Sequence, residues 1–146
     1  MALKTDAVGK KWSSDPFTVE GERIAKYADA VGEGSPIYRD AEAAKAEGFR
    51  GQVAPPMFCV VYGMLGLAPA VIDPELEMNF ARLVHGSQEF IWGEPVCAGD
   101  LISTEVECTS ITERNGNGFY VFEQVSTNQD GAETVRGTWT NIVRGV

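Results

Sequence analysis

The sequence predicts an α+β domain in which an antiparallel sheet wraps round one central apolar helix. Hydrophobic residues recur at helical spacing in the first half of the chain and at every second position from Phe80 onward. One of the helical stretches is apolar on every face, so only a curled sheet would cover it. Size agrees: 146 residues, 44% of them hydrophobic, fill one core and are too few for two comfortable domains. The whole chain, 1–146, is therefore read as a single domain.

Taken in order, Phe17-Thr18-Val19 reads as a short strand. Ile24, Ala28 and Val31 then fall at helical spacing, with Tyr27 alongside, and predict an amphipathic helix over Gly21–Val31. Asp40 is placed to cap a second helix through Ala41–Glu47, and Gly48 to stop it in left-handed geometry. The stretch Ala54–Leu67 begins with Pro55 and Pro56, which suit a first helical turn, and continues without a charge. That helix is expected to be buried all round, and Gly63 and Gly66 within it imply close packing on their side. Leu83–Trp92 forms a strand, the turn chemistry of Glu94–Asp100 breaks it, and Leu101–Glu113 forms the next, with Ile102, Thr104, Val106 and Cys108 on one face. Asn115-Gly116-Asn117-Gly118 is a strong hairpin signal, after which Phe119, Val121 and Val125 begin a returning strand. Asn128–Gly131 repeats the device ahead of a last strand carrying Val135, Trp139 and Val143.

Composition narrows the function. The longest apolar stretch, Met57–Leu67, is about half of a bilayer crossing, and Met1–Asp6 lacks the apolar core of a signal peptide. A soluble, cytoplasmic protein is expected. Twelve basic residues against 21 acidic ones give a net charge of −9, which repels nucleic acid and anionic membranes, so neither is expected as a partner. The three cysteines, Cys59, Cys97 and Cys108, have no metal-site or redox-motif spacing and are read as reduced, packed thiols. With His85 as the sole histidine, neither a zinc site nor a Ser-His-Asp or Cys-His arrangement has support, and no metal or cofactor is predicted.

Three segments carry a family resemblance. Gly32-Glu33-Gly34-Ser35-Pro36-Ile37-Tyr38-Arg39-Asp40 resembles the hydratase signature of the MaoC-like dehydratase/hydratase proteins. Gly51–Phe58 resembles the family's lead into its central helix, and Leu83–Phe90 with Pro95–Asp100 its strand-turn segment. Together with the meander, the likeness covers nearly the whole chain. It is strongest to small actinobacterial proteins with the MaoC N-terminal half, the accessory subunit of the fatty-acid-synthase-II (3R)-hydroxyacyl-carrier-protein dehydratase among them. The resemblance implies a hotdog fold, edge-to-edge pairing with a second hotdog subunit in a homodimer or heterodimer, and an acyl-thioester substrate on acyl carrier protein or coenzyme A.

The family adds or removes water across the 2,3-bond of that thioester. An aspartate and a histidine position and activate the water, while amides at a helix N-terminus polarise the carbonyl. Carried over position by position, Glu33 stands where the aspartate belongs and Tyr38 where the histidine belongs. Both identities have changed. Glu33 carries an extra methylene, beyond the ~0.5 Å tolerance of a catalytic constellation, and an ordinary tyrosine, with a pKa of about 10, shuttles protons poorly at neutral pH. The bland alternatives are a solvated turn residue at 33 and a packing residue at 38. Ser35 and Pro36 keep the loop's hinge, and Pro56, Met57 and Phe58 fall where the substrate-binding helix start lies. Because Pro55 and Pro56 have no N–H, amide donors would begin at Met57. A structural or interface role is expected for His85. The leading expectation is a non-catalytic subunit that shapes the acyl channel of a catalytic hotdog partner. An active homodimeric hydratase using Glu33 and Tyr38, and a thioester- or lipid-binding module without turnover, remain as alternatives.

Overall fold

A computed structural model describes residues 2–146. Its order is β1 (Lys11–Ser13), β2 (Phe17–Thr18), α1 (Gly21–Ala30), α2 (Ala41–Ala46), α3 (Cys59–Val71), β3 (Leu83–Trp92), β4 (Leu101–Arg114), β5 (Asn117–Thr127) and β6 (Glu133–Arg144). The strands form one antiparallel sheet in the order β1-β4-β5-β6-β3, with β2 also paired to β4 beyond β1. The sheet does not close: β1 and β2 share one edge, and β3 leaves the other unpaired among the described residues. This is the hotdog arrangement, one central helix lying on a curled sheet.

Local chemistry places the elements as expected. Asp40 Oδ1 accepts the Glu42 amide at 3.0 Å, and Gly48 ends α2 at φ +94°. Asn115 and Gly116 take φ +51° and +74° between the paired Arg114 and Asn117, the two-residue hairpin whose twist matches the strands. Asn128 Oδ1 holds the next turn through the Asp130 and Ala132 amides, both at 3.0 Å.

On β4, Ile102, Thr104, Val106 and Cys108 are buried, and a bulge after Cys108 then turns Ile111 inward. Phe119, Val121 and Val125 of β5 lie on its outer, half-buried face, while Tyr120, Phe122, Gln124 and Ser126 point into the core. Two polar residues are tolerated there because they are satisfied. Trp139 Nε1 donates to Gln124 Oε1 at 2.8 Å, Gln124 Nε2 to Ser126 Oγ at 3.0 Å, and Ser126 Oγ meets Thr104 Oγ1 at 2.6 Å.

The two glycines of α3 make this chain possible. A Cβ on Gly63 would sit 2.6 Å from Gln124 Nε2, and one on Gly66 would sit 2.8 Å from Thr104 Cγ2. Tight packing was expected on that side, and it is there.

Burial all round was not realised. Cys59, Tyr62, Gly63, Gly66, Leu67, Ala70 and Val71 are buried against the sheet, but Met57, Met64, Leu65 and Ile72 are exposed. One sheet covers only one side of a helix, so the outer side of α3 has no cover among the described residues. The helix also outruns its expected end, passing through Pro69 to Val71.

Candidate functional site

A pocket of about 400 Å3 opens beside the N-terminal end of α3. Its walls come from four segments that are far apart in sequence. Ile37 and Tyr38 belong to a short 3-10 turn, Pro36–Tyr38, which Ser35 caps. Phe49 and Val53 to Phe58 lead into α3, which adds Cys59 and Tyr62. Trp92 to Val96, at the end of β3, and Thr134 of β6 close the far side.

Residue 52 is the strut. Gln52 Nε2 donates to the carbonyls of Gly21 and Tyr38, both at 2.8 Å, while the Gln52 carbonyl accepts from Ala98 at 2.8 Å. Ala54 N adds a bond to Val96 O at 2.8 Å, and Val53 bridges Cys97. The turn after the pocket is locked by Asp100, 2% exposed, whose carboxylate accepts from Arg50 at 3.1 and 2.9 Å, from the Cys97 amide at 2.9 Å and from Gln129 at 3.0 Å. Burial alone would raise the Asp100 pKa; Arg50, the Cys97 amide and Gln129 outweigh it and hold the carboxyl below its usual range. Trp92 Nε1 donates to Pro56 O at 2.9 Å and so joins β3 to the helix start.

The interior is mostly apolar. Phe58 is buried between Tyr27 and Tyr62, edge-on to both. Burial pushes the Cys59 thiol up to about 11 and the Tyr62 phenol well above its ordinary value, so both are neutral at neutral pH. Tyr62 Oη lies 3.3 Å from Thr134 Oγ1. Glu94, at the wall, faces Arg50 with Nε 3.9 Å from its carboxylate.

The sequence-derived residues separate here. Tyr38, Pro56 and Phe58 line the pocket. Ser35 and Pro36 line an adjoining depression that shares Ile37 and Phe49 with it. Met57 is exposed and lines neither, and Glu33 is exposed on the loop after α1, its amide bonded to Ala28 O at 2.8 Å. At the helix start the Phe58 amide is spent on Pro55 O and the Cys59 amide on Pro56 and Met57 O. His85 lies away from the pocket, stacked on Trp139 at 5.3 Å with Nε2 3.1 Å from Ser87 O. Sequence reasoning missed Tyr62, Cys59, Trp92, Thr134 and the Arg50–Asp100 pair. Tyr62 at least carried a signal, as the one hydroxyl in the Ala54–Leu67 stretch.

Comparison with known proteins decides the family. The model for the FAS1-like, dehydratase domain region matches residues 6–136. The chain belongs to this family. Among relatives of the FAS1-like dehydratase-domain chain, the UPF0336 protein of Thermobifida fusca is 34% identical over 99% of this chain and 96% of its own length. That of Saccharopolyspora erythraea is 36% identical over 99% and 94%. Among solved structures, the C-terminally truncated HadBC (3R-hydroxyacyl-ACP dehydratase) complex from Mycobacterium tuberculosis aligns with TM-score 0.85 and 28% identity, over 96% of this chain and 99% of that one. R-hydratase PhaJ1 from Pseudomonas aeruginosa, at TM-score 0.74 and 19% identity over 99% and 88%, shares the fold. The resemblance to MaoC-like hotdog dehydratases and hydratases is thus borne out. No described helix is long and apolar enough to cross a membrane.

Proposed function

We propose that this chain is the non-catalytic subunit of a (3R)-hydroxyacyl-thioester dehydratase or enoyl hydratase of fatty-acid metabolism, shaping the acyl pocket for a catalytic hotdog partner. The observation that carries this reading is the separation of Glu33 from the pocket that Tyr38 lines. A general acid–base pair must converge on the reacting carbons. Glu33 and Tyr38 do not share the cavity. The helix start supports the same reading: Pro55 and Pro56 have no N–H, the amides of Phe58 and Cys59 are already bonded, and Met57, whose amide is left to donate, does not line the pocket. The pocket itself remains suited to an acyl chain, with Ile37, Phe49, Val53, Phe58 and Val96 in its walls. Paired hotdog subunits are the form in which the HadBC complex was solved, and the free edge of β3 offers such a partner a place.

The test is hydration of crotonyl- and longer enoyl-thioesters by the purified chain, alone and with a homologous hotdog subunit that carries the intact aspartate and histidine. The chain alone is expected to give negligible turnover, and the pair to co-purify and turn over. Robust turnover by the chain alone, abolished by Glu33→Ala, would establish the active homodimer instead. Thioester binding without turnover in either case would mark a binding module.

A further inference from the structure

The pocket's hydrogen bonds have a direction. Thr134 Oγ1 donates to the Ser126 carbonyl at 3.3 Å. A threonine hydroxyl has one proton to give. The 3.3 Å contact between Thr134 Oγ1 and Tyr62 Oη is therefore one in which Tyr62 donates and Thr134 accepts. The Tyr62 oxygen keeps its acceptor capacity but has no proton left for a ligand. Nearby N–H groups do not meet that need: the Trp92 indole is spent on Pro56 O, the Gly93 amide on Thr134 O and the Glu94 amide on Glu133 O. Tyr62 and Thr134 both line the cavity, and both are 2% exposed. The apolar pocket thus holds a buried, fixed acceptor that lacks a donor.

We propose that the Tyr62–Thr134 pair is a hydroxyl-reading subsite, selecting a 3-hydroxyacyl thioester over the 2-enoyl or saturated thioester of the same length. This rests on the acyl-pocket reading above and adds the group that the pocket reads. Near its thioester, an enoyl or saturated chain has no O–H or N–H to offer, so it would bury the phenol oxygen unmatched. A 3-hydroxyacyl chain supplies the missing donor. One neutral hydrogen bond in a closed site corresponds to about a threefold to tenfold difference in affinity.

The experiment titrates the full chain with the N-acetylcysteamine thioesters of 3-hydroxyhexanoate, trans-2-hexenoate and hexanoate, following calorimetry or the fluorescence of Trp92 at the pocket wall. The wild-type chain should bind the hydroxyacyl form about threefold to tenfold more tightly than the other two. Tyr62→Phe should keep all three affinities within about twofold of one another, the apolar walls being unchanged. The thioester of 3-methoxyhexanoate, whose oxygen has no proton to donate, should bind the wild-type chain no more tightly than that of hexanoate, and this arm serves if Tyr62→Phe does not fold by circular dichroism. Equal wild-type affinity for all three ligands would overturn the subsite while leaving the acyl pocket standing. A preference that survives Tyr62→Phe, or a methoxy thioester bound as tightly as the hydroxy one, would overturn it as well. Binding of none of the three would remove the acyl-pocket reading and the subsite together.

Discussion

At the scale of single residues, the fold turns on a few sites where one atom decides. Gly63 is one, because a methyl there meets the Gln124 amide that joins Trp139 to Ser126. Gln124 is fully buried and anchored at both ends, so it has little room to retreat. Gly63→Ala is expected to cost about 1–3 kcal/mol, the usual range for overpacking a filled core. Gly34→Ala, where a Cβ would meet nothing within 4 Å, should leave the urea midpoint unchanged. Asp100 is a second such site. Its folded pKa lies below the ordinary aspartate value of about 4, so the carboxylate's contribution to stability is complete at neutral pH. That contribution fades as pH falls from about 4 toward the lower folded value. Asp100→Asn keeps the shape but loses the charge and reverses one oxygen's role from acceptor to donor. It should destabilise the chain by about 1–3 kcal/mol at pH 7, the cost of leaving buried donors unmatched, and flatten the loss of stability below about pH 4. Thermal melts from pH 3 to 7 check both effects, and a mutant with the wild-type acid profile would sink the argument.

At the scale of elements, what could be read from the sequence was what local chemistry writes. The cap at Asp40, the stop at Gly48 and the hairpin at Asn115-Gly116 each depend on neighbours within a few residues, and each took its expected place. The hairpin allows a direct check. Gly116→Ala forces a Cβ into φ +74° and should cost about 1–2 kcal/mol in a denaturant titration. Strand β1 was invisible because three residues show no alternation. It is held from a distance, by Trp12 Nε1 donating to Asp73 at 2.8 Å and by Trp12 resting edge-on against Phe122. The inward face of β5 was likewise unreadable: Gln124 and Ser126 belong inside only because Trp139 and Thr104 arrive there from other strands. The site followed the same rule. Tyr38, Pro56 and Phe58 were found by position in a recognisable segment, whereas Thr134 and Trp92 reach the pocket only once the sheet has curled. The outer side of α3 shows the limit most plainly, since an all-apolar helix predicts cover without saying which chain supplies it.

At the scale of the whole molecule, two surfaces lack cover among the described residues. One is the outer side of α3, with Met64, Leu65 and Ile72; the other is the free edge of β3, where Val84, Ile91 and Trp92 are exposed. A ten-residue edge strand with exposed apolar side chains is a template for pairing, and a charged side chain placed on it is the usual way to block that. The chain's charge of −9 opposes indiscriminate self-association, so a stable assembly needs a matched surface. We expect the purified chain to be no smaller than a dimer at micromolar concentration by light scattering, and Ile91→Lys to weaken that assembly at least tenfold while leaving the melting temperature of the dissociated chain unchanged. Ile91 suits the test because it is exposed on the edge strand opposite Arg136 and does not line the pocket. If Ile91→Lys has no effect but Leu65→Lys dissociates the protein, the contact lies on the helix side and the edge-pairing expectation fails. A clean monomer, both alone and beside a homologous hotdog subunit, would leave both apolar surfaces unexplained and would sink the partner hypothesis at its root.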